Sequence, residues 1–207
     1  MCNIYRISPK RSTDKGVRGK VASAAGKLAN SLVRISDPGV VLLADERVEF
    51  MRWGFARSFN PAINNARSDK LESDMWAEAF RERHCVIPVS AFYDWGPGDG
   101  GRKQAYEFHD PDDDYLWIAG LWEPGEGDLG FCYSMVTTAA SPVMAPIHDR
   151  MPAVLRADDV PVFLDLETPW VFRPFDGPLA VTPCESPLKQ KSPPRDDPQG
   201  GLWDWQA

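Results

Sequence analysis

The chain has 207 residues, 43% of them apolar and 11% aromatic, which is enough for one buried core and excludes a largely disordered protein. No apolar run approaches a membrane span, no charged-then-apolar leader opens the chain, and four cysteines without CxxC spacing argue against a zinc ribbon or a redox pair; a cytoplasmic protein without a metal is the expectation. The net charge of −7 argues by itself against nucleic acid, but residues 1–36 hold eight Lys/Arg against the single acid Asp14, while residues 104–149 hold nine acids and no Lys or Arg. This asymmetry predicts one basic side, either a solvated helix face or a phosphate-binding face.

In chain order, CNIYRI predicts a strand and TDKGVRGKVASAAGKLANSLVRI a helix, capped by Thr13 or Asp14, with Val21, Ala24, Ala25, Leu28 and Leu32 as its apolar stripe. After the DPG turn at 37–39, VVLLA and VEFMRW read as strands. SFNPAINNARSD reads as a loop and DMWAEAFRER as a short helix. HCVIPV, AFYDW, QAYEFH, YLWIAGLW and FCYSMV follow as strands, with GPGDGG as a turn. APIHDRMPAVL crosses a loop, and DDVPVFLDL suggests a helix with Pro161 in its first turn. The expected architecture is α+β: one domain over residues 1–185, with a mixed or barrel-like sheet, a few flanking helices, and a Pro/Gly-rich extended tail over residues 186–207.

Four stretches could carry chemistry. Cys2 follows the initiator Met; if Met1 is removed, a free amine and a thiol stand on adjacent carbons, with reference pKa values of about 7.7–8.0 and 8.5. The thiolate could attack an acyl carbon, or the amine could form a Schiff base with an aldehyde and the thiol close a thiazolidine ring. On Cys2 alone, a small strand residue at a frayed terminus is the simpler reading. INNARSD gathers Asn64, Asn65, Arg67 and Ser68 in one polar run, suited to hydrogen bonding and phosphate binding or to plain turn chemistry. In SAFYDW, Asp94 among aromatics is either a desolvated acid–base group or an outward strand residue. IHDRMP offers His148 to move protons and Arg150 to bind phosphate.

Taken in order, MCN, WGF at 53–55, NAR at 65–67, CVIP–FYDW at 85–95, AGLWE at 119–123 and IHDRMP at 147–152 resemble the SRAP family, the SOS response-associated peptidases understood as abasic-site processing proteins. The resemblance implies that Cys2 crosslinks to abasic sites in single-stranded DNA through a thiazolidine. It also implies that Asn65 positions the Cys2 backbone and the sugar, and that His148 assists sugar-ring opening and proton transfer. Asp94 would be the acid–base group; the family's usual residue there is Glu, about 1.5 Å longer in reach. Arg67 and Arg150 would hold phosphates, Trp53 and Trp95 would stack on bases, and the basic segment containing Arg6 would draw DNA toward Cys2. Residues 36–50 lack an asparagine–apolar–proline stretch associated with many members. A monomer without cofactor or metal is expected, with strand-cleaving lyase activity and self-removal of Met1 as further family-implied activities. Two alternatives stand beside this: an N-terminal-cysteine hydrolase of peptidase or amidotransferase type, and a non-catalytic single-stranded DNA-binding module.

Overall fold

The computed structural model describes residues 2–8 and 16–189. In chain order, the strands are β1 (Ile4–Arg6), β2 (Leu32–Arg34), β3 (Pro38–Leu42), β4 (Val48–Trp53), β5 (Phe55–Arg57), β6 (Asn60–Ile63), β7 (Asn65–Arg67), β8 (His84–Val89), β9 (Ala91–Pro97), β10 (Lys103–His109), β11 (Leu116–Pro124), β12 (Phe131–Ala139), β13 (Arg150–Pro152), β14 (Val154–Leu155) and β15 (Ala180–Cys184). Three α-helices accompany them: α1 (Val17–Ala25), α2 (Ala77–Glu82) and α3 (Asp159–Leu164).

Strands β4, β3, β8, β11 and β12 pair in succession, and β12 returns to β4, so five strands close on themselves as a barrel. Every pairing in that ring is antiparallel except β12 with β4. The closure explains why β8 reads as an unbroken apolar run and is buried along its whole length. A second, open sheet has the order β15–β10–β9–β1–β2. Only Ser90 separates β8 from β9, so the chain steps from the barrel into this sheet within one residue, and the Ser90 N–H donates to the Arg6 carbonyl at 2.7 Å. The inner face of the open sheet, with Tyr5, Ile7, Phe92 and Phe108, joins the barrel interior in one continuous core.

Strand β12 organises the end that carries Asn65, Arg67 and Arg150. One of its edges is shared by β4 at Cys132–Tyr133 and then by β7, parallel, at Met135–Thr137. On the other side it pairs with β11 and then with β13, where Ala139 faces Arg150.

Two expected elements differ. The helix ends at Ala25, not Ile35: Leu32–Arg34 pair antiparallel with β1, and this long-range pairing overrides the helical spacing of Leu28 and Leu32. The proposed caps Thr13 and Asp14 lie outside the described residues. The stretch 58–69, expected as a loop, contributes β6, β7 and a 3-10 turn at Ser68–Lys70; β5 and β6 form a two-stranded hairpin. Within the expected tail, Pro187–Lys189 make a 3-10 turn, and residues from 190 onward lie outside the described residues. Among the described residues no helix is long and apolar enough to cross a membrane.

Candidate active site

Side chains alternate along β1. Ile4 packs on the outer face of the open sheet with Ala91 and Tyr93, while Tyr5 and Ile7 enter the main core. Cys2, just ahead of the strand, belongs to the main-core side and is fully buried. Its carbonyl accepts two hydrogen bonds, from Asn64 Nδ2 and Asn65 Nδ2, each 3.0 Å long. Asn64 Nδ2 also approaches Asn3 Oδ1 at 3.4 Å, and the Cys2 thiol donates to the Ile4 carbonyl at 3.4 Å. The terminus is therefore held, not frayed.

The clamp is anchored in the barrel. The Asn64 carbonyl receives the Trp53 indole N–H and the Met135 backbone N–H, each at 3.0 Å. Asn65 is fixed by the β7–β12 ladder. With Nδ2 engaged on Cys2, Asn65 Oδ1 is buried, and no donor among the described residues reaches it. A buried amide oxygen in that position suits an amine or a sugar hydroxyl.

Asp94, on β9, is 3% exposed, and its Oδ1 accepts the Trp95 backbone N–H at 2.8 Å. Burial first, and the nearby Asp94 carboxylate second, push the Cys2 thiol up to about 12. The thiol is thus neutral near pH 7, and Asp94 is close enough to act on it electrostatically.

His148 enters from the loop before β13. Its predecessor Ile147 lies against Gly96, where a Cβ would stand 2.9 Å from Ile147 Cγ2 and 3.0 Å from its Cα. Only glycine admits this approach, two residues past Asp94. His148 Nδ1 is 3.0 Å from the Arg150 N–H and 2.8 Å from Asp149 Oδ1. The first partner needs a lone pair on Nδ1 and the second a proton, so Nδ1 finds a partner as acceptor or as donor.

Strand β12 brings Arg67 and Arg150 together, and both reach Asp69. Arg67 donates through Nε (3.1 Å) and Nη2 (2.8 Å), and Arg150 Nη1 lies 3.2 Å from Asp69 Oδ1. Arg150 Nη2 also donates to the Thr137 carbonyl at 2.5 Å. Burial, then the neighbouring Arg67 charge, lower the Arg150 pKa.

One expected DNA contact is corrected, and two others lie on a different face from Cys2. Trp53 is fully buried, edge-on to Tyr5 and stacked with Tyr133, so it cannot stack on a base. Trp95 packs on the outer cluster with Ile4 and Tyr93, away from the Cys2 side. Arg6 points to that same outer face, lies over the Tyr93 ring and pairs with Glu107 at 2.9 Å. Part of the expected basic side is offset by acids: Arg18 pairs with Asp113 and Lys20 with Glu46. Lys10, Arg11 and Lys15 lie outside the described residues.

The sequence reading named Asn64 without a partner and missed Asp69. Asn64 is a second clamp on Cys2, and Asp69 joins the two arginines; both sit in the INNARSD run, but only the fold shows what they touch. No cluster of potential metal ligands occurs among the described residues.

The architecture is that of known proteins. A crystal structure of a Bacteroides thetaiotaomicron protein superposes with a TM-score of 0.74 over 92% of this chain and 95% of that one, at 18% identity. A Bordetella bronchiseptica protein superposes with a TM-score of 0.69 over 89% of this chain and 100% of that one, also at 18% identity. The chain belongs to the SRAP family, "SOS response associated peptidase", whose model matches residues 15–182; Cys2 lies ahead of the matched span. Similar proteins include the abasic site processing protein HMCES of Xenopus tropicalis, 31% identical over 141 residues, covering 53% of this chain and 42% of that protein. Another is the abasic site processing protein YobE of Bacillus subtilis, 28% identical over 122 residues, covering 54% of this chain and 56% of that protein. The chain thus spans about half the length of these relatives.

Proposed function

We propose that this protein processes abasic sites in single-stranded DNA by forming a covalent crosslink through Cys2 once Met1 is removed. The observation that carries the reading is the held terminus: Cys2 is fully buried, its carbonyl is gripped by Asn64 and Asn65, and the charge of Asp94 acts on its thiol. The names of the similar proteins favour the same substrate.

The chemistry balances without an oxidant. His148 assists opening of the abasic sugar, exposing an aldehyde. The Cys2 amine adds to the aldehyde carbon and water leaves, giving an imine. The thiol then adds across the C=N bond, sulfur to carbon and proton to nitrogen, and closes the thiazolidine. The amine attacks first, and the thiol follows, giving up its proton as sulfur bonds to carbon. Asp94 accepts the ammonium proton, and Asn65 Oδ1 receives the amine or a sugar hydroxyl. Arg67 and Arg150 take the flanking phosphates. In place of the buried Trp53, Phe59, 76% exposed at the tip of the β5–β6 hairpin that leads to Asn64, offers a ring to a neighbouring base.

The test is incubation with an abasic single-stranded oligonucleotide, followed by mass spectrometry of the N-terminal peptide. A heat-stable adduct on a Met1-free Cys2 peptide, absent in Cys2→Ala, is expected. Equal adduct yield from Cys2→Ala, or an adduct-forming species that retains Met1, overturns the proposal. Glutamine or peptide hydrolysis without any adduct would favour an N-terminal-cysteine hydrolase instead.

A further inference from the structure

We infer that Asp69 is an internal stand-in for DNA phosphate, holding Arg67 and Arg150 together in the free protein and weakening the hold on undamaged strands. The inference rests on the DNA-binding reading above. A carboxylate and a phosphate compete for the same guanidinium donors. Arg67 engages Asp69 through two nitrogens, at 3.1 and 2.8 Å, and Arg150 adds a third contact at 3.2 Å. Asp69 therefore occupies the donors that a phosphate would use on both arginines.

The arrangement is built to hold and to release. Arg150 is tethered by the Thr137 carbonyl and hydroxyl, and its side chain is only 12% exposed, so it stays in place when its acid partner changes. Arg67 and Asp69 are 51% and 48% exposed, so a strand can reach them and displace the acid. Hydrogen bonding to Arg67 holds the Asp69 carboxyl at about 2, so the competitor is fully charged at any physiological pH. Asp149, beside His148, adds a second negative charge that acts on both arginines. Two cations facing two acids leave the cluster close to neutral, which disfavours binding driven by backbone charge alone. A strand that also delivers an aldehyde to Cys2 gains a covalent bond and can bear the cost of displacing Asp69; an undamaged strand cannot.

The experiment compares wild type, Asp69→Asn, Asp69→Glu and a control, Glu72→Gln, which removes the same charge from an exposed position three residues away. Binding of an undamaged single-stranded oligonucleotide is measured by anisotropy between 50 and 200 mM salt, with adduct formation on the abasic version in parallel. Asp69→Asn is expected to tighten undamaged binding by roughly three- to tenfold at low salt. It should also steepen the salt dependence by up to about 0.7 in log–log slope, one further phosphate contact. Asp69→Glu and Glu72→Gln should stay near wild type. If Asp69→Asn binds equally or more weakly while adducts still form, the inference fails and the proposed function stands. If no adduct forms on any abasic strand, the proposed function itself fails.

Discussion

The shorter carboxylate at position 94 raises the question of reach, and the surroundings of Cys2 bear on it. Asp94 is near enough that its charge adds to burial in raising the thiol pKa to about 12. Replacing it with Asn removes a like charge from beside the thiolate, so the thiol pKa should fall. Burial remains the larger cause and should keep the value above that of an exposed cysteine. The pH dependence of thiol alkylation reads this directly, and adduct formation should slow by at least tenfold if Asp94 takes the ammonium proton. An unchanged alkylation profile would mean that Asp94 does not act on Cys2. Asn64 can be tested beside it. Asn64→Ala removes one of two donors to the Cys2 carbonyl, and a cost of about 1 kcal/mol, or roughly fivefold in adduct rate, is expected. Asn65→Ala should cost more, since it also removes the buried acceptor.

At the scale of elements, His84 joins two helices. Its Nδ1 lies 2.6 Å from the Phe163 carbonyl in α3, its Nε2 lies 2.7 Å from the Phe80 carbonyl in α2, and the ring stacks on Phe163 at 4.3 Å. Burial lowers the His84 pKa, and the two carbonyls offset this only in part. The unfolded chain therefore binds this proton more readily than the folded one, so the stability contributed by neutral His84 is fully present above the ordinary value of 6.5 and is lost as pH falls from there through the lower folded value. Thermal melts should show wild type losing stability between pH 8 and 5, and His84→Gln should lose less over the same interval. A parallel pH dependence in the two proteins would remove His84 as the cause. Elements also divide by how readable they are in sequence. The apolar runs of β8, β11 and β12 announce strands because they are buried in a closed ring. Residues 60–67 carry Asn and Pro and look like a loop. They become strands because the hairpin and the free edge of β12 supply partners, which no local pattern encodes. The same holds for Leu32–Arg34, claimed by β1.

For the whole molecule, the charge asymmetry has a partial explanation: three cations of the basic N-terminal segment pair with acids, two of them in the stretch 104–149, through Arg6–Glu107 and Arg18–Asp113, and the third through Lys20–Glu46. Composition located the opposite charges, but only the fold shows that they face each other. Arg6→Ala and Lys20→Ala should therefore leave the salt dependence of DNA binding unchanged, whereas Arg67→Ala should reduce its log–log slope by about 0.7. A reduced slope in Arg6→Ala would restore the N-terminal segment as a DNA-facing surface. Of the candidate site, Cys2, Asn65, Asp94 and His148 are nameable from sequence only through the ordered set of motifs that resembles the SRAP family, since each short run alone leaves a plain structural reading open. Trp53 could not be assigned correctly, since the same aromatic serves a core or a base stack and only burial tells them apart.

The mounting of Cys2 also imposes an order of events during synthesis. The residue is made first, yet the groups that enclose it come much later: Asn64 and Asn65, then Asp94, and finally β12, to which β7 is fastened. At roughly 5–20 residues per second, a ribosome takes on the order of ten seconds to reach β12. Through that interval the N-terminus has no enclosure, and an aminopeptidase can reach the Met1–Cys2 bond. Once β12 is in place, Asn65 is fixed on β7 and holds the Cys2 carbonyl. Trimming after that point meets a terminus already held by Asn64 and Asn65, so the proportion of protein retaining Met1 should rise when translation outruns the aminopeptidase.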